Sequence, residues 1–226
     1  MKRVCVVCEG QTEEEFILQV LAPAFYDLGL NLVPEMIETS PGHKGGALRY
    51  ARVKRHLRNT LRQNSAPVVT TLFDLYHLDV DFPGMSAAQE TPELSQRLRI
   101  LTEALHADVV DEAGCAPDRF IPHIQPHEFE ALLFSDVATL VTVEPAWQQA
   151  EAVLTAARAA VASPEHINDH PDTKPAARLE RALKSPSYRK SLHGPTAARK
   201  IGLTKMEEEC ASFAGWLARI RALAQP

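Results

Sequence analysis

At 226 residues, 45% hydrophobic and 23% charged, the chain is long enough for one well-buried domain with an elaboration, and its composition is ordinary for a globular protein. A net charge of −5 argues against general adhesion to nucleic acid, and no apolar run approaches the ~20 residues that span a bilayer. The four cysteines make no disulfide framework; Met1-Lys2-Arg3 leads straight into a strand-like run with no cleavage site, so a cytoplasmic location is expected.

A strand is expected over 3–8, closed by Glu9. Cys5 and Cys8 spell a Cys-x-x-Cys, but residues three apart on a strand face opposite ways, so buried thiols are expected rather than zinc ligands. A helix from about Glu13 to Leu28 follows, with Thr12 and Glu15 at capping-box spacing and Gly29 at its end. A second strand over about 31–38 leads to a Gly-rich turn at 41–46 and a basic helix over about 47–63. The strand at 67–73 is almost wholly apolar, which implies a central position, and Asp74 closes it. A polar loop with Asp79 and Asp81 comes next, then a helix over about 92–110, a strand over 119–125 and a short helix from Glu128 to about Phe134. Beyond Asp136, Ala-rich segments at 146–162, 174–184 and 204–223 read as helices separated by Ser/Pro loops. The expected architecture is α/β: a mostly parallel four-stranded sheet flanked by helices over 1–136, with a helical extension over 137–226 packed on it.

Acidic residues recur where these strands end. Glu9 opens Glu9-Gly10-Gln11-Thr12-Glu13, Asp74 follows Leu72-Phe73, and His127-Glu128-Phe129-Glu130 follows the last core strand. In an open α/β sheet, ligands bind at the carboxyl ends of the strands. Carboxylates gathered there repel one another unless a cation neutralises them, which points to Mg²⁺ or Mn²⁺. Gly10 is read as permitting close backbone approach. Asp79 and Asp81 fit Asx-turns better than ligand positions. His127 and Glu128 are capping candidates, and no second histidine completes a His-Glu-x-x-His zinc helix.

Basic residues are clustered despite the negative total. No acid lies between Thr39 and Phe73, where Lys44, Arg52 and Arg58 are candidate phosphate contacts; a second zone contributes Lys174 and Arg178, with Thr173 and Pro175 suited to start a helix there. Neither a P-loop nor a nucleophile elbow is present.

Taken in order, Val7-Cys8-Glu9-Gly10-Gln11-Thr12-Glu13, Thr70-Thr71-Leu72-Phe73-Asp74-Leu75-Tyr76, Asp81-Phe82-Pro83-Gly84 and His127-Glu128-Phe129-Glu130-Ala131-Leu132-Leu133-Phe134 resemble a bacterial domain-of-unknown-function family within the TOPRIM-like group. The likeness extends through Ile167-Asn168-Asp169, Lys174-Pro175 and Ile201-Gly202-Leu203, nearly the whole chain. TOPRIM domains, including those of the overcoming-lysogenization-defect nucleases, carry a Glu after the first strand and an Asp-x-Asp after a later one, binding Mg²⁺. The resemblance implies that Glu9 and Asp74 take those places. Tyr76 occupies the second Asp position, so Asp79, Asp81 or Glu130 would have to supply a missing carboxylate. Glu130 is similar to a glutamate of defence-associated TOPRIM nucleases, which are often encoded beside an AAA- or ABC-type ATPase.

The expected function is a Mg²⁺-dependent nuclease with Glu9, Asp74 and Glu130 as catalytic and metal-binding residues, acting on DNA or RNA in antiphage defence beside an ATPase. Two other classes stay open: a non-catalytic subunit that docks on the ATPase, and a phosphohydrolase or phosphotransferase acting on nucleotides. Homo-oligomerisation is left open, and no membrane is expected.

Overall fold

Alternate side chains of the first strand face two different cores, and that split organises the molecule. The computed structural model describes residues 1–37, 48–167, 170 and 172–224. The Gly-rich turn at 41–46, with Lys44, lies outside the described residues, as do Asn168 and Asp169. Strand β1 (Lys2–Cys8) is flanked by β2 (Leu30–Met36) and β3 (Val68–Asp74), each parallel to it. Val4, Val6 and Cys8 point into one core; Cys5 and Val7 point into the other. The sheet runs β2-β1-β3-β4, as a mostly parallel sheet flanked by helices should.

The fourth position is filled in two pieces, where the sequence suggests a single strand. β4 (Phe120–Ile121) and β5 (Ile124–Gln125) both pair with β3, and the ladder lapses at Pro122-His123. Pro122 has no N–H to donate. Thr71 spans the gap with its side chain: Oγ1 donates to the His123 carbonyl at 2.7 Å and accepts the His123 N–H at 2.9 Å.

One face of the sheet is covered by α3 (Tyr50–Leu61) and α5 (Leu94–Ala113). Val53, Leu57 and Leu61 recur every four residues on α3, and Leu98, Leu101, Leu105 and Val109 make the matching stripe on α5. The basic side of α3 lies against acids of α5. Lys54 reaches Asp108 at 3.0 Å and Glu112 at 3.4 Å, and Arg58 reaches Glu112 at 3.2 Å. Arg62 donates to the Glu112 and Ala113 carbonyls. The Arg58 guanidinium is therefore engaged within the fold. Arg52 stands half-buried on the first turn of α3.

The other face is covered jointly from both halves of the chain. The helix after β1 comprises α1 (Gln11–Phe16), a π-helical stretch over Ile17–Leu21 and α2 (Ala22–Tyr26). It starts from Gly10 with no side-chain cap, so Thr12 does not cap it, and Gly29 with φ +76° closes the turn that follows Tyr26. Phe16, Ile17, Leu21 and Phe25 from this helix share a core with Trp147, Leu179, Ala197, Phe213 and Leu217 from beyond residue 136. A short helix α4 (Met85–Gln89) precedes α5. The later helices are α6 (Val137–Leu140), α7 (Glu151–Ala159), α8 (Pro175–Ala182), α9 (Lys190–Ile201), α10 (Leu203–Glu209) and α11 (Ala211–Ala222). Trp216 of α11 donates its indole N–H to Thr70 Oγ1 at 2.7 Å, fastening the last helix to the central strand β3.

Further details differ from the sequence reading. Residues 129–136 form a 3₁₀ helix rather than an α-helix. The expected helix over 204–223 breaks at extended Cys210. Helix α9 has no counterpart in the sequence reading, because Gly194-Pro195 at its middle is a helix-breaking pair by propensity. Among the described residues, no helix is long and apolar enough to cross a membrane.

Two glycines with positive φ separate backbone strain from steric contact. At Gly29 (φ +76°) a Cβ would meet open space; at Gly84 (φ +81°) it would stand 3.0 Å from Ala104 Cβ and 3.1 Å from the Ile100 carbonyl on α5. Gly29→Ala is expected to cost about 1–2 kcal/mol. Gly84→Ala should cost at least ~1 kcal/mol more, because α4 and α5 must also separate. Urea denaturation of the two variants checks the order.

Candidate functional site

The parallel pairing of β1 with β3 sets Cys8 opposite Leu72, so the chain leaves both strands at the same edge of the sheet. Glu9 Oε1 accepts the Asp74 N–H at 2.8 Å, and Oε2 lies 3.1 Å from His77 Nδ1. Asp74 is 5% exposed, and its Oδ1 accepts the Phe129 N–H at 2.9 Å. It thereby caps the 3₁₀ helix Phe129–Asp136, the task that the sequence suggests for His127 or Glu128. The two loops are also joined directly, since Tyr76 N–H donates to the His127 carbonyl at 3.0 Å.

His127 is buried with φ +60°, the left-handed turn that redirects the chain from β5 into the 3₁₀ helix. Glu128 after it is extended, at φ −146° and ψ 157°. Glu128 and Glu130 therefore do not sit on one α-helix, and both reach the same lysine. Lys190 Nζ, from the first turn of α9, lies 3.7 Å from Glu128 Oε1 and 3.4 Å from Glu130 Oε1. Glu128, fully buried, also takes Lys174 Nζ at 2.7 Å and the Ala176 N–H at 3.1 Å. Glu130 is 1% exposed, and its Oε1 has no hydrogen bond.

Burial and crowding set the ionisation here. Glu13 is pushed up to about 7, chiefly by burial and then by Glu9 and Glu130. Asp74 is raised well above the usual carboxylate range by burial, then by Glu13, Glu9, Glu130 and Glu128. Glu130 is raised by burial, which outweighs the opposing pull of Lys190. Glu128 goes the other way: burial raises it, but Lys190, Lys174 and the Ala176 N–H together hold it below the ordinary value. His77 is raised by its hydrogen bond to Glu9. Burial and like charge thus raise the proton affinity of Glu13, Asp74 and Glu130, while lysines hold that of Glu128 down.

Glu9, Glu13, Asp74, Glu128 and Glu130 are therefore brought together. Asp79 and Asp81 are engaged elsewhere: Asp79 accepts the Val80 N–H at 2.7 Å within its loop, and Asp81 accepts the Tyr50 N–H at 3.2 Å, at the start of α3. Lys174 belongs to the cluster through Glu128, and its ammonium stands 4.2 Å from the Tyr76 ring centroid. Arg178 donates to the Thr173 carbonyl at 2.6 Å, while the Thr173 hydroxyl caps nothing. Gly10 is extended at φ −157°, a conformation any residue adopts, so no turn requires glycine there. Two members escape the sequence reading. His77 follows Asp74 by three residues, the one local signal available; Lys190 lies in the second basic zone, where nothing in the spacing marks it as reaching the acids.

Among the described residues, no three His, Cys, Asp or Glu side chains are disposed to close on one ion. Mg²⁺ does not require such a cage, because it keeps several waters and uses one or two carboxylates. The donors at hand are hard oxygens, and Asp74, Glu128 and Glu130 are buried beside one another. By donor type and charge, the residues fit a hard divalent cation.

Residues 8–221 match the family described as a domain of unknown function, DUF4276, and the chain belongs to that family. No curated protein and no solved structure matches it.

The raised carboxyls have a measurable signature. Folded, Glu13 keeps its proton to about pH 7, whereas its ordinary value is 4.5. The folded state binds the extra proton between those values, so this group's contribution to stability falls as pH rises through that window. In metal-free buffer, Glu13→Gln should melt close to the wild type at pH 5 and increasingly above it toward pH 8. A melting-temperature difference that stays flat across that range would contradict the assignment.

Proposed function

We propose that this member of the DUF4276 family is a Mg²⁺-dependent nuclease of the TOPRIM kind that hydrolyses nucleic-acid phosphodiesters in the cytoplasm, as the effector of an antiphage system with an AAA- or ABC-type ATPase. One observation carries the reading. Five carboxylates, Glu9, Glu13, Asp74, Glu128 and Glu130, meet at the carboxyl edge of a parallel sheet, with Lys174, Lys190 and the rim residue His77 among the described residues that pair with them. Three of them, Asp74, Glu128 and Glu130, are buried, and folding alone does not account for the cost of keeping those acids out of water together. A Glu after β1 and an Asp at the end of the adjacent parallel β3 support the TOPRIM assignment.

Glu9 and Asp74 would hold the cation, with Glu130 orienting the site. Bound Mg²⁺, or Mn²⁺ in its place, would neutralise charge on the phosphate and acidify the attacking water. Glu9 is also placed to accept the water's proton, and His77, hydrogen-bonded to Glu9 and 40% exposed, to pass it to solvent. Lys174 and Arg178, at the start of α8, would approach the phosphate backbone beside the acids. Dependence on an ATPase rests on the family resemblance and on the missing P-loop.

Glu9→Gln and Asp74→Asn should each lower Mg²⁺-dependent cleavage by on the order of 10²-fold or more. Both amides can still accept the N–H that the native carboxylate accepts, so the fold should survive. Metal-free melting temperature should hold or rise as carboxylate repulsion is relieved. Cleavage assays on single- and double-stranded DNA and on RNA, with a chelator control, measure this; undiminished cleavage in both variants would dispose of the site. The chain alone should be weakly active and should gain at least tenfold when purified with the ATPase encoded beside it. Full activity of the lone chain, unchanged by that ATPase, would remove the partner from the reading.

A further inference from the structure

The carboxylates divide by what balances them. On one side, Glu9 and Asp74 accept backbone N–H groups and face His77, and no lysine forms an ion pair with either among the described contacts. On the other, Glu128 and Glu130 meet ammonium groups. Lys190 Nζ stands 3.7 Å from Glu128 Oε1 and 3.4 and 3.5 Å from the two oxygens of Glu130. These separations exceed the ~2.7–2.9 Å of a short charged hydrogen bond, so the ammonium lies between two acids rather than being committed to one. That is the position a bridging cation takes.

Position 76 belongs to the same half. The loop after β3 offers no carboxylate at this position, where the chain has Tyr76. The Tyr76 ring faces the Lys174 ammonium, 4.2 Å from its centroid, and Lys174 in turn pairs with Glu128 at 2.7 Å. Both places from which a second ion would draw ligands are thus faced by lysines, whose like charge opposes it.

The placement of Lys190 is built into the packing. It opens α9, whose first turn is tied by the Arg189 N–H donating to His193 Nδ1 at 2.9 Å. Gly194 lets α9 lie close to the site: a Cβ there would stand 3.2 Å from Phe129 Cε1, 3.2 Å from Tyr188 Oη and 3.3 Å from Thr12 Cγ2. Phe129 adjoins both Glu128 and Glu130, and Thr12 adjoins Glu13. The contact that seats the helix therefore also sets its lysine among the acids.

We propose that the site takes one divalent cation, on the Glu9–Asp74 side, and that the Lys190 ammonium occupies the place of a second between Glu128 and Glu130. The proposal rests on the metal-dependent reading above and extends it by fixing the ion count and naming the residue that sets it. Lys190 then supplies permanent positive charge to that half of the site, whatever the free Mg²⁺ concentration.

The test is the number of Mn²⁺ ions bound by the full chain, from calorimetry and from the paramagnetic resonance of free Mn²⁺. The wild type should bind one ion, Lys190→Arg one, and Lys190→Gln two, since the uncovered acids then need a new cation. Asp74→Asn should weaken the single wild-type site at least tenfold, and Glu130→Gln should leave it in place. Two ions in the wild type would overturn the proposal even if Lys190→Gln failed to fold. So would a single ion in a folded Lys190→Gln chain, or loss of the site in Glu130→Gln but not in Asp74→Asn. No binding to the wild type would instead remove the metal reading itself, a separable outcome.

Discussion

Carboxylates stripped of water and set beside one another repel, and much of this molecule is arranged around that repulsion. Glu9, Asp74 and the Glu128–Glu130 pair lie at strand ends that parallel pairing brings to one edge, so the sheet itself creates the conflict. The fold answers it unevenly. Backbone N–H groups at Asp74, Phe129 and Ala176 each donate to one carboxylate oxygen, and two lysines from the C-terminal region reach the Glu128 side. Glu13 and Asp74 are left with raised proton affinity, a state that a hard cation relieves.

The site and the core are consequently one construction. Asp74 caps the 3₁₀ helix that carries Glu130, while the apolar residues of that helix, Phe129, Leu132 and Leu133, fill the core beneath α1 and α9. Phe16 packs against Phe129 with ring centroids 5.0 Å apart and the rings tilted by 58°, linking the helix after β1 to the segment bearing the later acids. A carboxylate that holds a structural N–H with one oxygen has the other free to turn toward a ligand. Structural and chemical duties can therefore coexist on Asp74 without moving the backbone.

Glu9 and Asp74 were legible because their signal is local: an apolar run that ends in an acid marks a strand terminus, and parallel topology does the rest. The sheet, the basic helix and the helical second half were legible for the same reason, through runs and periods of apolar residues. What escaped depends on tertiary context. His127 in a left-handed turn and Glu128 in extended backbone leave no periodic mark, so residues 128–134 read as an α-helix. Gly194-Pro195 disguised α9, and with it Lys190, because packing against Phe129 and Thr12 outweighs their low helix propensity. The basic stripe of α3 looked like a phosphate track, yet Lys54 and Arg58 find Asp108 and Glu112 on a helix some fifty residues later in the chain (|i−j| = 54 for each contact), a pairing that spacing cannot disclose.

The interruption between β4 and β5 bears on how the protein behaves in a crowded solution. An outermost strand with a regular row of free amides is a template on which another chain's strand can grow. Here the outer strand amounts to two dipeptides, with prolines at 122 and 126 that offer no amide. The His123 N–H is turned inward onto Thr71. An incoming strand would find no continuous register to extend. A single threonine hydroxyl thus lets the sheet end on this side without a covering strand while denying neighbours a ladder there, a safeguard against fibrous association at one of the two outer strands, the other being β2.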